Sequence, residues 1–205
     1  MRKPVLILSW LLLIGGGVFL WCGGFDYWQS VSFQKEEALQ WENQNVDAVS
    51  SDSSPITQSA SVRGAGIVRT GNVPKGQSIA KLSIPRLTSV LYVLEGTDDQ
   101  DLKRGPGHLQ GTVMPGRNGN CVIAGHRDTH YRMLKDIEKG DEILVESRQG
   151  TYKYRVTGIS VVTPDNTDSL QPTSNGVLNL ITCFPFNYVG SAPRRFIVHA
   201  DLIQS

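Results

Sequence analysis

The chain has 205 residues, enough for one domain of ordinary size together with a membrane segment and a tether. Its 20 basic and 19 acidic side chains give a net charge of +1, which does not favour nucleic acid or an anionic surface as a partner. Three cysteines without CxxC or CxxH spacing predict neither a disulfide framework nor a metal site.

The N-terminus carries a charge-free run from Pro4 to Phe25 that is long enough to cross a membrane as a helix. Two basic residues precede the run and Asp26 follows it, which predicts a cytoplasmic N-terminus and an extracytoplasmic remainder. A cleaved signal peptide is the alternative. The apolar run exceeds the usual length of a signal peptide, and the residues after Trp21 make a poor cleavage site. We therefore expect a single-pass signal-anchor over residues 1–25.

The composition changes twice after this run. Within residues 26–77, Tyr27–Asn45 has a loosely helical pattern typical of a juxtamembrane helix, and Val46–Gly76 is rich in Ser, Gly, Thr and Ala, as in a flexible tether. Over residues 78–205, short β-branched runs alternate with Gly and Pro, which predicts an all-β domain with short helical inserts.

Seven strands and two short helices are predicted in this domain. The helices cover Asp98–Lys103 and Tyr131–Ile137. The strands lie near Ile79–Ile84, Val90–Leu94, Cys121–Ala124, Glu142–Glu146, Tyr152–Val162, Val177–Thr182 and Arg195–Asp201.

Cys183 has the neighbours that a nucleophile needs. It follows the apolar run Val177–Thr182 and precedes Pro185, which cannot extend a central ladder, so the thiol is predicted at the junction of a strand and a loop. A buried structural cysteine is the alternative, and it is the interpretation we give to Cys22 and Cys121.

His126 occupies a similar position after the run Cys121–Ala124 and the strand-breaking Gly125. Imidazole exchanges protons near neutral pH and can act beside a thiolate as general acid or base. A plain hydrogen-bonding histidine is the alternative. We assign that alternative to the other three histidines, His108, His130 and His199.

Arg194 and Arg195 open the last predicted strand, after a loop that starts at Phe184. Strand alternation sends their side chains to opposite faces, so at most one of them can face the cysteine. The fixed donors of that arginine could stabilise an oxyanion. The alternative is a solvated charge at the start of a strand.

Four segments together resemble the sortase family. Two of them surround the histidine and the cysteine, which have 56 residues between them: AGHRDTHYRMLKDIEKGDEI and LNLITCFPFNYVGSAPRRFIVHADLI. The two upstream segments are KLSIPRLTSVLYVLEG and LKRGPGHLQGTVMPGRNGN. The likeness covers Ser78 to Ile203 and is greatest to the class D branch, whose pattern is similar to TCYPF followed by APxRF.

This resemblance implies a closed β-barrel of about eight strands with Cys183 and His126 as catalytic residues. The family arginine falls in the segment RRFIV, where the strand pattern favours Arg195 and leaves Arg194 open. Substrate contacts are expected from Thr182 and its neighbours Ile181 and Phe184. Phe184 stands where the class D pattern usually has tyrosine.

The function that the resemblance implies is cysteine transpeptidation at the cell membrane without metal or other cofactor. Its partners would be proteins with a C-terminal LPxTG-like sorting signal and an amine acceptor, such as a cell-wall precursor or a protein amine, joined through a thioacyl-enzyme. Two alternatives are a cysteine peptidase or hydrolase that uses water as acceptor, and a non-catalytic β-domain that binds peptides or cell-wall material.

Overall fold

A computed structural model describes residues 14, 16–17, 31–43, 73–188 and 190–204. All but three residues of the predicted signal-anchor, together with Cys22 and most of the predicted tether, lie outside these residues. Among the described residues, no helix has both the length and the apolar character needed to cross a membrane.

Eight strands form one closed barrel in the order β1-β2-β3-β4-β7-β8-β6-β5. The predicted barrel of about eight strands is therefore confirmed. The strands are β1 (Ser78–Ile84), β2 (Ser89–Glu95), β3 (Gly107–His108), β4 (Gly119–Ala124), β5 (Glu142–Ser147), β6 (Gly150–Val162), β7 (Gly176–Phe184) and β8 (Arg194–Gln204).

Seven of the eight strands agree with the predicted strands to within a few residues at their ends. The exception is β3, which has only two residues and carries no alternation that a pattern search could detect. It joins β2 to β4, in parallel to the first and antiparallel to the second, so it completes the barrel wall.

Alternating side chains fill the barrel interior. Along β7, Leu178 and Leu180 point inward and are fully buried, and β8 contributes Val198 and Ala200 to the same core. Side chains at the intervening positions face the outer surface of the barrel. Because of this alternation, only every second residue along β7 shares a face with the cysteine.

The helical elements are short or lie at the margin of the barrel. Residues 31–43 are helical (α1), within the stretch predicted as a helix. A second helix, α2, covers Asp99–Arg104. The helix predicted over Tyr131–Ile137 is a five-residue 3-10 turn, Arg132–Asp136, because the chain must turn sharply after the histidine-bearing loop.

The helix α1 packs against the edge of β2. The Gln34 carboxamide accepts a hydrogen bond from the Tyr92 amide (2.8 Å) and donates to the Tyr92 carbonyl (3.2 Å), as a neighbouring strand would. Trp41 is buried beside the Tyr92 ring, with 6.2 Å between ring centroids. The Arg104 guanidinium lies 4.0 Å from the Phe33 ring. These contacts hold α1 on the barrel.

Candidate active site

The parallel pairing of β4 with β7 brings the predicted histidine and cysteine together. Ala124 pairs with Ile181, and the ladder continues with a bond from the Gly125 amide to the Ile181 carbonyl (3.0 Å). Because parallel strands end at the same edge of a sheet, the residues that follow, His126 and Cys183, emerge side by side in register. Both side chains are half-buried.

The backbone around His126 is bonded on several sides. The Thr182 hydroxyl donates to the Gly125 carbonyl (2.7 Å), and the Tyr131 amide donates to the His126 carbonyl (3.0 Å). A β-carbon on residue 125 would lie 2.8 Å from the buried Tyr131 ring, so only glycine fits there. These contacts give His126 a defined starting direction.

The antiparallel pairing of β7 with β8 decides between the two arginines. Cys183 pairs with Arg195, whereas Arg194 pairs with Phe184. Directly opposite residues share a face, so Arg195 lies on the face of the thiol and Arg194 on the other face. Ile181 and Ile197, two positions along, form the adjoining pair on the same outer face.

The Arg195 guanidinium is oriented by backbone carbonyls. Its Nη1 donates to the carbonyls of Ala192 (3.3 Å) and Arg194 (3.2 Å) at the end of the β7–β8 loop. Within the described residues no other hydrogen bond of this guanidinium is found. An arginine carries five N–H donors, so this guanidinium has donors beyond Nη1 that can bond to an oxygen beside Cys183.

Arg127 connects the histidine loop to the β7–β8 loop, a role that no motif in the sequence indicates. Its buried guanidinium donates from Nη2 to the carbonyls of Tyr188 (2.6 Å) and Gly190 (3.1 Å). The β7–β8 loop joins Cys183 to Arg195, so Arg127 links all three predicted catalytic positions. The residue follows His126 directly in the sequence, but a side chain's burial leaves no sequence pattern.

A cleft of about 200 Å³ lies on the outer face of the barrel next to Arg195. Its floor is formed by β4, β7 and β8, its far wall by the β6–β7 loop, and Arg195 lies at its margin. The apolar side chains that line it include Val122, Ile181, Ile197, Pro164 and Leu170. Such a cleft suits one apolar side chain of an extended peptide.

The three residues predicted to contact substrate lie in different places. Ile181 lines the cleft, and Thr182 is buried and bonded to Gly125. Phe184 packs with Phe186 and Phe196, its ring stacked on the latter at 6.2 Å. The structure does not bring Phe184 into the cleft, because alternation turns its ring toward the core side of β7.

Cys121 behaves as the small buried hydrophobe that was predicted. Its thiol is 1% exposed, and burial, followed by the nearby Glu95 charge, raises its pKa far above the usual value. A thiol that stays protonated is a poor nucleophile. Of the two cysteines described, Cys183 is thus the accessible one.

The remaining histidines interact with other groups of the protein. The Nδ1 of His108 pairs with the Glu95 carboxylate (2.8 Å), and both groups are buried. His199 contacts Asn179 and Ser160. Burial lowers the pKa of His130 to about 4, with a smaller contribution from the nearby His126 charge. In the part of the chain described here, no group of three or more His, Cys, Asp or Glu is placed to hold a metal ion.

A family model described as a sortase domain matches residues 82–203, more than half of the chain. The chain therefore belongs to the sortase family.

The relatives support the class D resemblance. Sortase D of Bacillus subtilis (strain 168) is 38% identical over 130 residues, 62% of this chain and 65% of the relative, so the match spans just under two thirds of that protein. Sortase A of Bacillus anthracis is 28% identical over 206 residues, 96% of this chain and 93% of the relative. The structure of a Clostridium perfringens Sortase D5 transpeptidase superposes with a TM-score of 0.58 at 29% identity, covering 64% of this chain and 82% of that one.

Proposed function

We propose that this chain is a cysteine transpeptidase that cleaves an LPxTG-like sorting signal and transfers the acyl group to an amine. The observation that supports the proposal is the register of β7 with its two neighbours: Cys183 pairs with Arg195 of β8, and β4, which leads into His126, runs in register beside β7 up to Ala124 and Ile181. Family membership and the class D relatives point to the same chemistry.

In the first step, the Cys183 sulfur attacks the carbonyl carbon that follows threonine in the signal. Arg195 donates to the oxyanion, and the imidazolium of His126 gives its proton to the departing amine as the C–N bond breaks. A thioester between Cys183 and the upstream fragment results. In the second step, an incoming amine attacks the thioester, His126 takes its proton, and the C–S bond breaks to release the product and the thiolate.

This mechanism is tested by incubating the full chain in detergent with a sorting-signal peptide, with and without an amine acceptor, and following intact mass. We expect a thioester at Cys183 and diversion of product from acid to amide when amine is added. Cys183→Ala should lose both, while Cys121→Ala, a change to a buried thiol, should keep both. Turnover of the peptide by Cys183→Ala would require the proposal to be withdrawn.

The same mixtures separate the alternatives. A hydrolase would give the acid product whether or not amine is present, and a peptide-binding domain would give no thioester. An accessible thiol beside a histidine and an arginine favours the transferase or hydrolase over the binding domain.

We further propose that residues 1–25 anchor the protein in the cell membrane, with the N-terminus cytoplasmic and the catalytic domain on the extracytoplasmic side. Support comes from the charge-free run after two basic residues, which is long enough to span the bilayer. Mass spectrometry of the mature protein should find this segment retained. A mature N-terminus just after Gly23 or Gly24 would show that it is a cleaved signal peptide.

A further inference from the structure

A line of four polar side chains crosses the outer face of the barrel beneath the β6–β7 loop. Ser160 of β6 lies 2.8 Å from the Nε2 of His199 on β8, whose Nδ1 lies 2.7 Å from the Asn179 Oδ1 on β7. The Asn179 Nδ2 donates to the Asn120 Oδ1 on β4 at 2.8 Å. Each of these strands contributes one member, so the line spans the floor of the groove under the loop.

The hydrogen bonds of this line all run in one direction. Because the Asn179 amide group donates to Asn120, its Oδ1 must accept, and His199 therefore carries its proton on Nδ1. Burial lowers the pKa of His199, which keeps the ring neutral near pH 7 and leaves Nε2 to accept from the Ser160 hydroxyl. Bonds aligned in this way polarise and strengthen one another.

The line ends on the backbone of the β6–β7 loop. The Asn120 Nδ2 donates to the carbonyls of Ser169 (2.7 Å) and Gln171 (3.0 Å), and the Asn179 Nδ2 donates to the Ser169 carbonyl (3.0 Å). Both asparagines are buried, at 4% and 3% exposed. Three bonds from the barrel floor thus hold the 3-10 turn Asp168–Leu170 in place.

That turn forms the far wall of the cleft beside Arg195. Leu170 and Pro164 of the loop face Ile181 and Ile197 of the floor across the cleft. The width of the cleft therefore depends on where the loop rests. A backbone bond from the Gly119 amide to the Asn175 carbonyl (3.1 Å) ties the end of the loop to β4, whereas the turn beside the cleft is bonded to the floor through the two asparagine amides.

We infer that Asn120 and Asn179 are positioning residues that hold the β6–β7 loop over the cleft before substrate arrives. The inference rests on the proposed function, since it assigns the cleft to an apolar side chain of the sorting-signal peptide. Neither residue reaches the reacting atoms. A loop that is already ordered reduces the entropic cost of binding, so the effect belongs to substrate affinity and not to the chemical step.

The number of bonds to the loop predicts a graded series of variants. Asn120→Ala removes two, Asn179→Ala removes one, and Ser160→Ala removes none because it breaks only the far end of the line. In the full-length protein, hydrogen exchange of peptides covering residues 163–172 should quicken by about tenfold, about threefold and less than about twofold respectively. Peptides from the β5–β6 hairpin should be unchanged and serve as the internal reference.

Steady-state kinetics on a sorting-signal peptide should follow the same order. We expect the KM to rise by about tenfold in Asn120→Ala and about threefold in Asn179→Ala, with kcat within about twofold of the parent. Leu170→Ala should raise the KM without quickening exchange elsewhere in the loop. Adding Asn120→Ala to the Leu170→Ala protein should raise the KM by a smaller factor than Asn120→Ala does in the parent. The reason is that the side chain positioned by Asn120 is already missing in Leu170→Ala.

The outcomes separate this inference from the proposed function. A parent chain that turns over no peptide overturns the proposed function, whatever the exchange data. An active parent with unchanged loop exchange in Asn120→Ala overturns the inference, as does faster exchange with an unchanged KM. If Asn120→Ala does not fold, the comparison of Asn179→Ala with Ser160→Ala decides by the same criteria.

Discussion

At the residue scale, the two adjacent arginines should differ sharply in their effect on catalysis. Arg195 lies opposite Cys183 and Arg194 opposite Phe184, so only the former can donate to an oxyanion formed at the thiol. Arg195→Ala should cost about 2 to 4 kcal/mol of transition-state stabilisation, measured as the fall in kcat/KM. Arg194→Ala is the matched control. Equal or reversed losses would contradict the assigned strand face.

His130 makes the stability of the fold depend on pH. Its folded-state pKa is lowered from 6.5 to about 4 by burial, so below 6.5 the unfolded chain binds a proton that the folded chain does not. The contribution of His130 to the free energy of unfolding is fully present above pH 6.5. It declines as the pH falls toward 4 and stays constant below that. The full effect is up to about 3 kcal/mol.

Urea unfolding at pH 7, 5.5 and 4 tests this dependence. The parent should lose stability more steeply than His130→Gln over that interval, since the variant removes the titrating group. Carboxylates titrate in both proteins and cancel in the difference. Parallel curves for the two proteins would show that His130 is not the group responsible.

The catalytic candidates could be proposed from local sequence because Cys183 and His126 each stand at the end of an apolar run and Arg195 stands at the start of one. Their neighbours were harder to foresee. Arg127 and Asn179 look like ordinary polar residues in the sequence, and their roles depend on which strands lie beside them. For Phe184, proximity to Cys183 in the chain suggested a substrate contact, but alternation along β7 turns its ring toward Phe196.

At the element scale, α1 should stabilise the barrel through the edge of β2. That strand pairs with β3 only at Leu94 and Glu95, so the backbone of Tyr92 relies on the Gln34 side chain. Gln34→Ala leaves a partly buried amide and carbonyl without this partner and should lower the free energy of unfolding by about 1 to 3 kcal/mol. Unfolding by urea measures it.

Gln40 is the matched control for that change, being a glutamine on the exposed side of the same helix. Gln40→Ala should alter the free energy of unfolding by no more than about 0.5 kcal/mol. If the two variants were equally stable, α1 would contribute nothing through the edge of β2.

Strand positions were predictable because β-branched alternation is a local signal, whereas strand order is not. The parallel pairing of β4 with β7, on which the site depends, joins residues far apart in the chain. The two-residue β3 escaped prediction because it is defined only by its partners in β2 and β4.

At the scale of the whole molecule, the barrel was expected only through the resemblance to sortases. Periodicity alone predicted seven strands and an all-β domain, and this information does not distinguish a closed barrel from a sandwich. Closure requires the pairing of β5 with β1, and neither strand's sequence indicates that the other is its partner. Family likeness supplied what local patterns could not.

If residues 1–25 anchor the protein as proposed, the docking of α1 limits how far the barrel can lie above the bilayer. If residues 4–25 lie in the membrane, only residues 26–30 separate that segment from the first docked position, Val31. Five extended residues reach no more than about 18 Å. Residues 26–72, were α1 both undocked and unfolded, would reach at most roughly 160 Å. On vesicles, the parent should therefore process only signals presented close to the lipid surface, and Gln34→Ala should extend that height. Substrates would then have to present their sorting signals close to the membrane surface. A polypeptide that has just been translocated is still at that surface.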